Sequence, residues 1–123
     1  MARIAIVDDK DILRDSLTAT LTREDHEVTA FADPTEALTE ARTGRFDLIL
    51  SDLKMPRMDG LALVRELRQA GVETPVIIMT AYGTVSNAIE AMKLGVFDFV
   101  QKPFDAEAIG VTIERALEHA RLA

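Results

Sequence analysis

Arg3-Ile4-Ala5-Ile6-Val7-Asp8-Asp9 carries four apolar residues in a row and stops on two adjacent carboxylates. An unbroken apolar run of that length, rather than an apolar-polar alternation, predicts a strand covered on both faces, as in a parallel sheet. The figure repeats along the chain. Further strands are expected at Glu27 to Phe31, Asp47 to Ser51, Pro75 to Met79 and Phe97 to Gln101. Between them lie stretches with helical spacing: Leu13, Leu17 and Leu21; Ala37, Leu38 and Ala41; Leu63, Val64 and Leu67; Val85, Ala88, Ile89 and Met92; Ile109, Ile113 and Leu117. Punctuation agrees with the pattern. Asp33-Pro34-Thr35-Glu36 reads as an N-cap, a first-turn proline and a capping-box glutamate, and Gly44, Gly71 and Gly95 fall where helices should stop. Gly110, inside the last helix, has no such reason.

Five strand-helix units are too few for an eight-stranded barrel, so the expected fold is α/β, an open doubly wound parallel sheet with right-handed crossovers. The chain of 123 residues is expected to be one domain, with 14 Lys and Arg against 21 Asp and Glu, a net charge of −7 and no Cys. The negative balance argues against binding a phosphate backbone directly. No apolar run approaches the roughly 18 residues of a membrane helix, and Asp8 and Asp9 come too early for a secretory leader, which points to a cytoplasmic setting.

In open parallel sheets, ligands bind beyond the carboxyl ends of the strands. Here those ends carry Asp8 and Asp9, Asp52, Thr80, and Lys102-Pro103. Taken singly, each has a plain structural explanation: Asp8 or Asp9 as a helix N-cap, Asp52 as a turn residue, Thr80 as a cap, Lys102-Pro103 as a turn. Taken together they form a chemistry. Clustered carboxylates repel unless a cation offsets them, and an oxygen-only ligand set suits Mg²⁺, or Mn²⁺ as a similar hard ion. A carboxylate, a hydroxyl, an ammonium and a divalent ion are what phosphoryl transfer requires. Asp52 then reads as the phosphoacceptor, Asp9 and Asp52 as metal ligands, Asp8 as a ligand through water, Lys102 as the phosphoryl counter-charge and Thr80 as a hydrogen-bond donor.

Val7-Asp8-Asp9, Ser51-Asp52-Leu53-Lys54-Met55-Pro56-Arg57-Met58-Asp59-Gly60, Met79-Thr80-Ala81 and Lys102-Pro103-Phe104, in this order, resemble the receiver domain of two-component response regulators. The resemblance covers essentially the whole chain. It implies a flavodoxin-like (βα)5 sheet of order 2-1-3-4-5, phosphorylation of Asp52 by a sensor histidine kinase, the backbone carbonyl of Lys54 as a metal ligand, and a cis peptide before Pro103. It also implies a switch in which Thr80 moves toward the phosphoryl group and Phe99 turns inward, with Lys54 and Tyr82 modulating phosphoryl lifetime. Such a domain is a phosphoacceptor with slow self-dephosphorylation, not an enzyme with turnover. The stretches Ala81-Tyr82-Gly83-Thr84 and Ala88-Ile89-Glu90-Ala91-Met92-Lys93-Leu94-Gly95 most resemble receivers of NtrC-type transcriptional activators. In that setting residues 115–123 lead into a linker toward AAA+ and DNA-binding domains, and the fourth-helix and fifth-strand surface is a candidate homodimer contact.

Other readings of the same residues compete. A haloacid-dehalogenase-like phosphatase uses similar residues, but there the nucleophile follows the first strand and the acidic pair comes late, the reverse of the order here. An unphosphorylated scaffold of receiver fold would have no need of the acceptor, acidic pair, Thr and Lys together.

Overall fold

The computed structural model of the chain describes residues 1–122. Five strands alternate with five helices: β1 (Arg3–Val7), α1 (Asp11–Arg23), β2 (Glu27–Phe31), α2 (Pro34–Ala41), β3 (Leu48–Asp52), α3 (Gly60–Gln69), β4 (Val76–Thr80), α4 (Val85–Lys93), β5 (Asp98–Gln101) and α5 (Ala106–Leu122). All the strand pairs are parallel, in the order β2-β1-β3-β4-β5. The doubly wound sheet expected from the sequence is therefore the fold.

The first two strands fall where the apolar runs place them, and the other three start one residue later. Asp47 stays outside β3, with its N–H donating to the Arg3 carbonyl at 2.7 Å and its half-exposed carboxylate accepting from the Arg3 N–H at 2.8 Å. Pro75 has no N–H to give a ladder, so β4 begins at Val76. The shift moves Asp52 and Thr80 into the last positions of their strands, where Asp52 pairs with Met79 and Thr80 with Gln101.

Each central strand sends alternate side chains to opposite faces. Ala5, Val7, Ile49, Val76 and Ile78 pack against α2, α3 and a single residue of α4, Ala91. Ile4, Ile6, Leu48, Leu50, Ile77 and Met79 pack against Leu17 and Leu21 of α1 and Ile109, Ile113 and Ala116 of α5. Burial on both faces explains why the strands read as continuous apolar runs.

Helix boundaries follow local chemistry. The Asp33 carboxylate accepts from the Thr35 N–H at 2.9 Å and the Thr35 hydroxyl at 2.7 Å, whereas Glu36 is exposed and closes no capping box. Asp59 and Thr84 cap α3 and α4 through the Ala62 and Asn87 N–H groups. Gly71 and Gly95 take φ of 80° and 81° just past α3 and α4, a conformation that costs a side-chain-bearing residue. At Gly110 an added Cβ would make only an ordinary contact, 3.9 Å from Glu24 Oε2, and nothing in the structure calls for a glycine there. Among the described residues, no helix is long and apolar enough to cross a membrane.

Candidate functional site

The carboxyl ends of β1, β3 and β5 bring four charged side chains to one crevice. Asp8 is fully buried, Asp52 is 6% exposed, and one carboxylate oxygen each from Asp8, Asp9 and Asp52 lie within 4.8 Å of one another. Lys102 enters from the end of β5. Its Nζ is 3.0 Å from Asp8 Oδ2 and 3.4 Å from Asp52 Oδ1, so one ammonium serves two carboxylates.

Backbone donors fix the acidic groups. The Lys10 N–H donates to Asp8 Oδ1 at 2.8 Å, and the Leu53 N–H donates to Asp52 Oδ1 at 2.9 Å. Neither Asp8 nor Asp9 caps α1: the N-cap is Lys10, whose side chain makes no capping bond. The Asp pair is thus free for other work. Asp9 Oδ1 is buried with no hydrogen-bond partner, while its Oδ2 faces the exposed Lys10 Nζ at 3.5 Å.

The electrostatics are unbalanced. Burial, and next the negative charge of Asp8, raise the Asp52 pKa above the ordinary carboxylate value, and Lys102 with the Leu53 N–H only partly oppose them. Three carboxylates against the Lys102 ammonium and the exposed Lys10 ammonium still leave a net negative pocket with an orphaned buried oxygen. That donor set fits a hard divalent cation, which would satisfy the orphan and relieve the repulsion.

The remaining expected residues divide. Thr80 is buried at the end of β4, and its hydroxyl oxygen accepts from the Tyr82 N–H at 3.0 Å instead of bonding to Asp52 or Lys102. Phe99 is half-buried beside it. A Cβ built on Gly83 would lie 2.7 Å from Phe99 Cε1 and 3.0 Å from Thr80 Cγ2, so the ring occupies the space this glycine leaves. Lys54 and Tyr82 turn toward solvent, Tyr82 at 73% exposure. The Lys102-Pro103 peptide is cis.

Gly60 and Arg14 also shape the crevice, and the sequence assigned neither a role there. A Cβ on Gly60, the first residue of α3, would lie 2.4 Å from the Asp52 carbonyl oxygen, so only glycine lets the helix start this close to the end of β3. Arg14 Nη1 donates to the Asp8 carbonyl oxygen at 2.7 Å. A side-chain pattern carries no sign of a backbone partner, although the spacing of Asp11 and Arg14 is that of neighbours on one helix face.

Comparison with known proteins agrees with this geometry. The family model described as the response regulator receiver domain matches residues 4–114. The Regulatory protein AtoC of Escherichia coli (strain K12) is 39% identical over 116 residues, covering 94% of this chain and 25% of that protein. The DNA-binding transcriptional regulator NtrC of Klebsiella pneumoniae is 40% identical over 114 residues, covering 93% of this chain and 24% of the relative. This chain therefore spans about a quarter of the length of these two relatives. Among solved structures, the beryllofluoride-activated NtrC4 receiver domain dimer superposes with a TM-score of 0.91 at 31% identity, covering 98% of this chain and 99% of that one.

Proposed function

This chain belongs to the family of response regulator receiver domains, and from that premise we propose that it takes a phosphoryl group on Asp52 from a sensor histidine kinase. The observation that carries the assignment is the convergence of Asp8, Asp9, Asp52 and Lys102 at the carboxyl edge of the sheet. The family match over residues 4–114 is to the receiver domain and gives the haloacid-dehalogenase rival no support.

In the proposed reaction the ionised Asp52 Oδ attacks the donor phosphorus. The bond from phosphorus to the donor's imidazole nitrogen breaks, and that nitrogen keeps the electron pair. Asp52 is pre-set for this by the Leu53 N–H, which holds its Oδ1 from within the chain. Lys102, already shared between Asp8 and Asp52, pairs with the phosphoryl oxygens as negative charge gathers there. Asp9, Asp52 and the Lys54 backbone carbonyl would hold Mg²⁺ or Mn²⁺, with Asp8 acting through water. The ion, when bound, supplies charge neutralisation at the transferring group.

Thr80 can report the change, because its hydroxyl accepts from Tyr82 and keeps its own proton free to donate. Its methyl lies against the space shared by Gly83 and the Phe99 ring, so its movement is felt there. Phe99 carries no hydroxyl, so its coupling is steric. Lys54 and Tyr82, open to solvent near the site, are assigned to tuning phosphoryl lifetime. The output surface we assign is α4 with β5, through which two copies would pair. The relatives' greater length supports a further assignment: a cytoplasmic regulator in which residues 115–123 lead toward AAA+ and DNA-binding domains.

Intact mass after incubation with a small acyl phosphate, with and without Mg²⁺, tests the central step. One added phosphoryl group that requires both Mg²⁺ and Asp52 is expected. Equal labelling of Asp52→Asn would overturn the acceptor assignment, and no labelling from either an acyl phosphate or a histidine kinase would favour a scaffold.

A further inference from the structure

Arg14 is a charged side chain that the reaction above does not use, yet it is only 17% exposed. It sits in the first turns of α1. One arm of its guanidinium donates to the Asp8 carbonyl oxygen at 2.7 Å, and the other pairs with the exposed Asp11 carboxylate. The Asp8 carbonyl belongs to the peptide that joins Asp8 to Asp9. Arg14 therefore grips the plane from which both acidic side chains hang.

The grip matters more for Asp9 than for Asp8. Asp8 is held independently: its N–H donates to the Phe31 carbonyl at 3.1 Å, its Oδ1 accepts from the Lys10 N–H, and its Oδ2 meets Lys102. Asp9 has much less to orient it. Among the described residues, its Oδ1 has no partner and its Oδ2 only the ammonium of Lys10, itself 72% exposed. We propose that Arg14 is a positioning residue for the divalent cation site, aiming the Asp9 carboxylate by holding the Asp8-Asp9 peptide. This rests on the reading of the acidic crevice as a Mg²⁺ site.

Positioning and simple electrostatics predict opposite signs. A fixed positive charge near three carboxylates opposes binding of a second cation, so by Coulomb's law alone its removal should tighten Mg²⁺. If Arg14 acts by positioning, its removal should loosen Mg²⁺. Residues that orient a metal ligand typically account for about 10-fold or more in affinity. Arg14→Met, which keeps an apolar stem without a donor, is expected to weaken Mg²⁺ about 10-fold, and Arg14→Gln, which keeps an amide NH₂ donor, less than that. Lys10→Ala is the opposing control. That exposed ammonium faces Asp9 without holding its backbone, so its loss should tighten the ion.

The measurement is a Mg²⁺ titration of the intact chain followed by backbone amide NMR shifts, with thermal unfolding in chelator to confirm that each variant is folded. Weaker binding by either folded Arg14 variant, alongside tighter binding by Lys10→Ala, is expected. Binding as tight as in the unsubstituted chain, or tighter, in both folded Arg14 variants would overturn the inference and leave the metal site standing. Failure of the unsubstituted chain to bind Mg²⁺ would overturn the metal reading itself, and the role of Arg14 with it.

Discussion

Helices α3 and α4 carry apolar stripes of the same period, and the fold uses them in opposite ways. In α3, Leu63, Val64 and Leu67 are at most 1% exposed and lie on the sheet. In α4, Val85 is 77% exposed, Ile89 51% and Met92 50%, and the small Ala91 is the buried residue. One stripe builds the core and the other is offered to solvent. Under the proposed function, this exposed apolar face is the self-association surface. Besides Ala91, polar contacts fasten α4 and the turn after it: Arg65 of α3 pairs with Glu90, and Arg68 Nη2 donates to the Gly95 carbonyl at 3.4 Å.

The largest effect should come from truncating the two stripes. Leu67→Ala empties a site with no solvent exposure and should cost about 2–5 kcal/mol, whereas Ile89→Ala should stay within about 0.5 kcal/mol. Urea unfolding of both variants at low protein concentration checks this. Equal destabilisation would remove the distinction between the helices. Ile89→Asp should leave the monomer folded while abolishing phosphorylation-dependent dimers, read by sedimentation.

Next come the glycines at the two helix entrances. Gly60 faces the Asp52 backbone, which cannot step aside, and Gly83 faces the Phe99 ring, which can swing. Gly60→Ala should therefore cost about 1–3 kcal/mol, as overpacking does. Gly83→Ala should cost less in stability and show itself as a displaced Phe99 ring in side-chain NMR. A larger stability loss at Gly83 than at Gly60 would mean that the ring is as fixed as backbone.

Which parts of this were legible in sequence follows from what each feature depends on. The strands were legible because burial on both faces writes itself as unbroken apolar runs such as Ile4 to Val7. The edge of the sheet that carries Asp8, Asp9, Asp52, Thr80 and Lys102 followed from parallel topology. The facing of α4 did not, because periodicity defines a stripe but not whether it meets the sheet. Here Ala91 is small enough to seat the helix without the stripe's help. Arg14 was invisible for another reason, since its partner is a backbone carbonyl. Nor does a residue list show that the Thr80 hydroxyl already accepts from Tyr82.

The site at the carboxyl edge of the sheet gives a smaller, pH-dependent effect. Because burial and Asp8 raise the Asp52 pKa, the folded chain binds its proton more readily than the unfolded chain does. Stability contributed by this group is therefore greatest at low pH and falls as pH rises from the ordinary carboxylate range through the raised value. Asp52→Asn removes that loss. In chelator at neutral pH it should raise Tm by a few degrees, and its pH profile should be flatter. Mg²⁺ should then narrow the gap by stabilising the unsubstituted chain more. A lower Tm for Asp52→Asn in chelator would show that Lys102 more than compensates Asp52.

The smallest expected effect bears most directly on α4. Arg65 and Glu90 are each nearly half exposed, and such pairs contribute about 0–1 kcal/mol to global stability. Glu90→Gln should accordingly leave the urea midpoint almost unchanged. Locally the consequence differs, because α4 has one buried apolar residue where α3 has several, so a fastening that is minor for the whole domain is a large fraction of what holds this helix. Amide exchange in Val85–Lys93 should quicken while exchange in Gly60–Gln69 stays fixed. The same variant should shift toward the dimer at lower phosphorylation, because α4 would need less free energy to rearrange. Unchanged exchange in α4 would mean that Ala91 and the backbone of β5 hold the helix on their own, and the contrast with α3 would then lie in exposure alone.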